Sequence, residues 1–181
     1  MKVFISWSGT RSNAIGEVLR NWLPIVLQAV RPYFSQDDVE KGSRWSSELS
    51  RELRESQVGL LVVTPENQNS PRLLFEAGAL SNSVDQSKVC PILFGGLEPR
   101  DLQWPLAQFQ AAKFSRDEMT RVIKTLNMQC GGAGLSPDIL SSVLRKWWPD
   151  LEEQITQKLA LPVPDDMIRP SDGELLDHFH Y

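Results

Sequence analysis

Glu76 is a single carboxylate inside an apolar helical stretch, Leu73-Leu-Phe-Glu-Ala-Gly-Ala-Leu80, that follows the strand-like run Val58-Gly-Leu-Leu-Val-Val63. Burial disfavours the ionised form of a carboxylate and raises its pKa unless partners compensate. A group so placed is kept with hydrogen bonds around it or with a task for its charge. The opposing reading, a glutamate at the wet edge of a short helix, stays open from these residues alone. The remaining chemistry-bearing side chains narrow what Glu76 has to work with. The two histidines, His178 and His180, lie at the chain end, so a histidine triad or zinc site in the core has no candidates. Thr10 to Gly16 is not a phosphate-binding loop, and Gly131-Gly-Ala-Gly134 does not follow a strand as a dinucleotide fingerprint must. Asp37-Asp38 after a strand suggests a receiver domain, but an acceptor aspartate ending a central strand and a lysine opposite it are missing.

The elements that must position Glu76 alternate along the chain. Strands are expected at Val3–Ile5, Val30–Phe34, Val58–Val63, Lys88–Phe94 and Phe109–Phe114. Pro91 marks the fourth of these as an edge or a bulge. A helix capped by Thr10 or Ser12 carries Ile15, Val18, Leu19, Trp22 and Leu23 at helical spacing, and Pro24 is expected to kink or end it. Ser43 to Ser56 reads as a charged amphipathic helix with Trp45, Leu49 and Leu53 on one face, and Met119 to Leu126 as another helix. After the Gly-rich break Cys130 to Gly134, a last helix is expected from Ser136 to Leu159, with Pro137 in its first turn and Pro149 kinking or splitting it. Strands alternating with helices predict a flavodoxin-like, doubly wound α/β fold, a mainly parallel five-stranded sheet with helices on both faces. Ligands in such folds gather outside the carboxyl ends of the strands. The loops expected there are 6–11, 35–43, 64–70 and 95–103, and Glu76 sits just past the third.

The chain has 181 residues and a net charge of −4, which suits one domain with a substantial core and argues against a nucleic-acid-binding surface. Residues 1–160 form the expected domain, with a core over 1–130 and C-terminal helices over 136–160. Residues 161–181 read as a tail or linker. Cys90 and Cys130 give no disulfide framework, and Cys90 reads as a small core hydrophobe in a reducing compartment. No apolar run approaches membrane-span length, and the opening Met-Lys-Val-Phe-Ile-Ser-Trp-Ser-Gly reads as a first strand, so a cytoplasmic protein is expected.

Taken in order, Val3-Phe-Ile-Ser6, the loop Asp37 to Gly42 followed by Trp45, Leu60-Leu-Val-Val-Thr-Pro65 and Ser70-Pro-Arg-Leu-Leu-Phe-Glu-Ala-Gly-Ala79 resemble the TIR domain in its bacterial form. The stretches Val89–Phe94 and Pro105–Gln110 extend the likeness, which covers residues 1 to 130. The resemblance implies one of two functions: a scaffold that assembles signalling complexes through TIR–TIR contacts, or an enzyme that cleaves NAD at the nicotinamide–ribose bond. In the enzymatic class the catalytic glutamate follows the third strand, which is the place of Glu76. The family often has a tryptophan four residues before it, where this chain has Arg72.

By that resemblance, NAD is the substrate, no cofactor or metal is required, and Glu76 stabilises the oxocarbenium-like ribose as glycosidase carboxylates do. Ser6, Trp7 and Ser8 and the region from Asp37 to Trp45 would flank the nucleotide. Trp7 and Trp45 are candidates for stacking on a heterocycle, with core packing the competing reading for both. Lys41 and Arg44, around Gly42, are candidates for the pyrophosphate, or else solvated loop charges. Asp37, Ser6, Ser8 and Ser70 have turn and cap roles as the alternative. The product, linear or cyclic ADP-ribose, would serve anti-phage signalling of the Thoeris type through a separate effector protein, with self-association and neither nucleic acid nor membrane as partner. A deoxyribosyltransferase-like enzyme, with a similar fold and glutamate, would act on nucleosides and ignore NAD.

Overall fold

The computed structural model describes residues 1–34, 51, 54–83 and 88–163. Its sheet has five strands, all parallel: β1 (Lys2–Ser6), β2 (Arg31–Phe34), β3 (Val58–Val63), β4 (Val89–Leu93) and β5 (Ala112–Lys113), in the order β2-β1-β3-β4-β5. The register sets Ile5 beside Leu60 and Leu61 beside Pro91. The helices are α1 (Thr10–Val26), α2 (Pro71–Ser83), α3 (Arg116–Gln129) and α4 (Pro137–Leu159). This is the doubly wound, flavodoxin-like architecture that the sequence predicts.

Period-2 alternation along the strands feeds two cores. Val3, Ile5, Val58, Leu60, Val62 and Ile92 pack with α1, α3 and α4 on one face. Phe4, Leu61, Val63 and Leu93 face the other way, onto Leu73, Ala77 and Leu80 of α2 and onto Leu97, Leu102, Leu106 and Phe109 of the segment after β4. β3 is buried at all six positions, as a central parallel strand must be. Gly59 makes the α2 contact close: a Cβ there would stand 2.7 Å from Leu80 Cδ1. Ser6 lies two residues beyond Phe4 and so shares the α2 face.

Several expectations give way to local chemistry. Neither Thr10 nor Ser12 caps α1; Gly9, at φ 94°, occupies the cap position. Ser12 instead accepts from the Ser8 amide at 3.2 Å and donates to the Val62 carbonyl at 3.3 Å. Pro24 does not stop α1, which runs on to Val26, and α4 passes through Pro149 without ending. Pro91 is in a strand flanked by β3 and β5, but pairing with β5 starts only at Ile92. Its missing N–H therefore falls where β4 has no β5 partner. The expected fifth strand, 109–114, shrinks to Ala112–Lys113, because Phe109 closes the 3₁₀ turn Leu106–Gln108 and residues 110 and 111 are not in the sheet. Cys90 is partly buried against the first core, and burial pushes its thiol up to about 11. The expected helix 43–56 and the tail from 164 lie largely or wholly outside the described residues. No helix among the described residues is long and apolar enough to cross a membrane.

Candidate active site

The site forms where β1 ends and α2 begins. Leu73, Glu76, Ala77 and Leu80 fall at i, i+3, i+4 and i+7, one stripe of α2. That stripe faces the sheet, so Glu76 is carried inward with its apolar neighbours and is 0% exposed. The solvated-edge reading of Glu76 is thereby excluded. Its Oε2 accepts a hydrogen bond from the Ser6 hydroxyl, and its Oε1 pairs with Arg72 Nε at 3.4 Å, one helical turn back. Burial raises the Glu76 pKa above the ordinary 4.5, while the Ser6 hydroxyl and the Arg72 charge pull it back in part. The carboxylate is thus held by one neutral donor and one cation in a site of low dielectric.

The loops around it are fixed by side chains. Asn67, 0% exposed, accepts from the Thr64 amide at 2.7 Å and donates to the carbonyls of Val62 at 2.9 Å and Ser8 at 3.2 Å. It therefore ties the β3–α2 loop to the end of β1. Ser8 and Ser70 share a hydrogen bond between their hydroxyls, and the Ser70 carbonyl accepts the Leu74 amide at the start of α2. Arg11 meets Glu66 with two bonds of 2.7 Å and also donates to the Leu159 carbonyl at 3.2 Å. One guanidinium so joins α1, the β3–α2 loop and the end of α4.

Of the residues expected to flank a nucleotide, Ser6 bonds Glu76, Trp7 stacks under its partner Arg72, and Ser8 bonds Ser70. Trp7 is 2% exposed, stacked on Phe34 at 5.5 Å, with the Arg72 guanidinium 4.3 Å from its ring centroid. Its ring packs into the site wall, so core packing replaces the expected stacking on a free heterocycle. Asp37, Lys41, Gly42, Arg44 and Trp45 lie outside the described residues. Arg72 and Asn67 were absent from the sequence-based site. The i,i+4 spacing of Arg72 and Glu76 is a signal that could have found the first. The structure holds no His/Cys/Asp/Glu cluster fit for a metal ion among the described residues.

The TIR domain model matches residues 3–126, from β1 into α3. The chain belongs to the TIR domain family. Its match thus takes in the whole sheet, both loops at Glu76 and all of α2. Among solved structures it is similar to the TIR domains of the activated Roq1 resistosome, described as directly recognizing the pathogen effector XopQ. That similarity is at 17% identity with a TM-score of 0.41, over 99% of each chain. No curated protein matches it. TIR domains include NAD-cleaving enzymes as well as scaffolds, and among the described residues Glu76 is the one fully buried carboxylate.

Proposed function

We propose that this TIR domain cleaves the nicotinamide–ribose bond of NAD, with Glu76 as the catalytic residue. One observation carries the reading: a fully buried carboxylate, hydrogen-bonded by Ser6 and paired with Arg72, at the carboxyl end of the sheet. A carboxylate kept in a dry site at a stability cost points to chemistry. The glycosidic C1′–N bond breaks with both electrons leaving on the nicotinamide nitrogen, which discharges the pyridinium. Positive charge then spreads over C1′ and the ring oxygen, where ionised Glu76 stabilises it and accepts from a ribose hydroxyl. Water attacks C1′ and releases a proton, giving ADP-ribose; attack by a nucleophile of the same nucleotide gives a cyclic product.

The cellular setting we infer is cytoplasmic anti-phage immune signalling, with TIR–TIR self-association and a separate effector reading the product. The scaffold reading draws on one observation, that both Glu76 oxygens already have partners within the chain. Incubating concentrated protein with NAD, with products resolved by liquid chromatography and mass spectrometry, separates the two. Nicotinamide release that falls roughly 100-fold or more in Glu76→Gln supports the enzyme. Equal rates in both proteins remove Glu76 from the chemistry, and silence from both favours the scaffold.

A further inference from the structure

Two contacts of Arg72 differ in quality. Its Nε stands 3.4 Å from Glu76 Oε1, longer than the 2.7–2.9 Å of a good charge-assisted bond. Its guanidinium carbon lies 4.3 Å from the Trp7 ring centroid, well inside cation–π range. Trp7 is itself immobilised against Phe34. The guanidinium is therefore better anchored to the aromatic wall than to the carboxylate. It is also the outer member of the pair: the Arg72 side chain is 21% exposed and that of Glu76 0%. Arg72 further sits in the first turn of α2, where the helix end favours an anion.

We propose that Arg72 is a partner-exchanging specificity residue: it covers Glu76 in the free protein and moves its charge to a phosphate of the incoming nucleotide, leaving Glu76 to take a ribose hydroxyl. The planar guanidinium can stay on Trp7 while it changes anion, since its fork of donors fits phosphate oxygens as well as a carboxylate. A phosphate-bearing nucleotide supplies both halves of the exchange, an anion for Arg72 and a hydroxyl donor for Glu76. A bare nucleoside supplies only the hydroxyl and leaves the cover in place. The substrate class is thus restricted to nucleotides with phosphate near the reacting ribose. The nucleotide half of this inference rests on the NAD-cleaving reading; the cover over Glu76 does not.

Three measurements on the full chain, with Arg72→Ala and Arg72→Lys, test it. First, ligand-free protein is treated with a water-soluble carbodiimide and glycine amide, and Glu76 coupling is followed by peptide mass spectrometry. Coupling is expected to rise roughly tenfold or more in R72A and to stay low in R72K. An unchanged rate in folded R72A overturns the cover, whatever the fate of the NAD reading. Second, calorimetry compares ADP-ribose with adenosine. R72A should weaken ADP-ribose by roughly 10- to 100-fold, the loss of one charge-assisted bond, and should not weaken adenosine, which no longer meets the cover. Equal effects on both ligands, or none on ADP-ribose, overturn the exchange. Third, where wild type turns over NAD, the ratio of kcat/KM for NAD to that for nicotinamide riboside should fall by a similar factor in R72A and recover in part in R72K. A ratio that R72A leaves intact refutes the assignment. Wild type that cleaves neither substrate removes the proposed function, while the first two measurements still decide the role of Arg72.

Discussion

Removing the charge of Glu66 tests how far the site depends on a contact remote from the chemistry. Arg11 and Glu66 form a two-bond ion pair at 2.7 Å, with side chains 14% and 8% exposed, and Arg11 spends a third donor on the Leu159 carbonyl. Breaking a buried pair by deleting one member costs about 3–5 kcal/mol, because the other charge stays desolvated and unpaired. The residual exposure of Arg11 lets water relieve part of that, so Glu66→Gln should cost about 2–4 kcal/mol. That is a large share of the roughly 5–15 kcal/mol that holds a domain together. Arg11→Met should cost about as much alone. The double variant R11M/E66Q leaves no stranded charge, so its loss should fall short of the sum by about 2 kcal/mol. Equilibrium urea unfolding of the four proteins measures this cycle directly. Additivity within about 0.5 kcal/mol would mean that the pair contributes only as two solvated surface charges do. The reasoning from geometry and burial would then be wrong.

The other expectations concern single sites. Glu76 has its folded pKa raised above 4.5 by burial, so its ionisation costs stability as pH climbs from that value through the folded pKa and no further beyond. Glu76→Gln should therefore melt higher than wild type at neutral pH, with the gap closing toward pH ~4 in scanning calorimetry. If the enzyme reading holds, kcat/KM should fall on acidification with a midpoint above the usual carboxylate range, as the raised pKa requires. At Gly16, an added Cβ would sit 2.4 Å from Phe34 Cε2. Gly16→Ala gains about 1 kcal/mol of helix propensity but forces apart a ring locked against Trp7, at about 1–3 kcal/mol. Net destabilisation with an altered near-ultraviolet tryptophan signal is expected, and a more stable variant with an unchanged spectrum would contradict it. Asn67→Ala strips three buried hydrogen bonds and should cost about 2–4 kcal/mol in chemical unfolding. Its loop amides should exchange with deuterium faster than those of β3.

Much of the architecture is legible because burial on both sides writes a continuous apolar run, as in Val58–Val63. Glu76 is legible for the opposite reason, being the polar exception on an apolar stripe. What hides from the sequence is anything decided by partners distant along the chain. Ser12 reads as a cap because serine caps helices, yet the carbonyl of Val62, brought near by the fold, claims its hydroxyl. Trp7 reads as an aromatic face for a ligand, yet Phe34 and Arg72 pack against it. Prolines 24 and 149 mislead in another way. Losing one backbone bond is tolerated where tertiary packing holds the helix, as Leu144, Trp148 and Leu151 do around Pro149. Arg72 first registers as a departure from a family pattern. Only the three-dimensional placement of Trp7 beside it reveals a charge set between a ring and a carboxylate.

The packing of α4 on α1 bears on how the protein is made. Leu140, Leu144, Trp148, Leu151 and Ile155 complete the core that α1 and β1 begin. Trp22 Nε1 donates to the Trp147 carbonyl across 125 positions of sequence, and Arg11 to Leu159 across 148. During synthesis the strands and α1 leave the ribosome long before α4 does. The apolar side of α1 that α4 covers therefore waits exposed until α4 emerges, an interval in which a nascent protein is prone to aggregate. A nascent chain halted before α4 should depend on chaperones, whereas one that has released residue 163 should not.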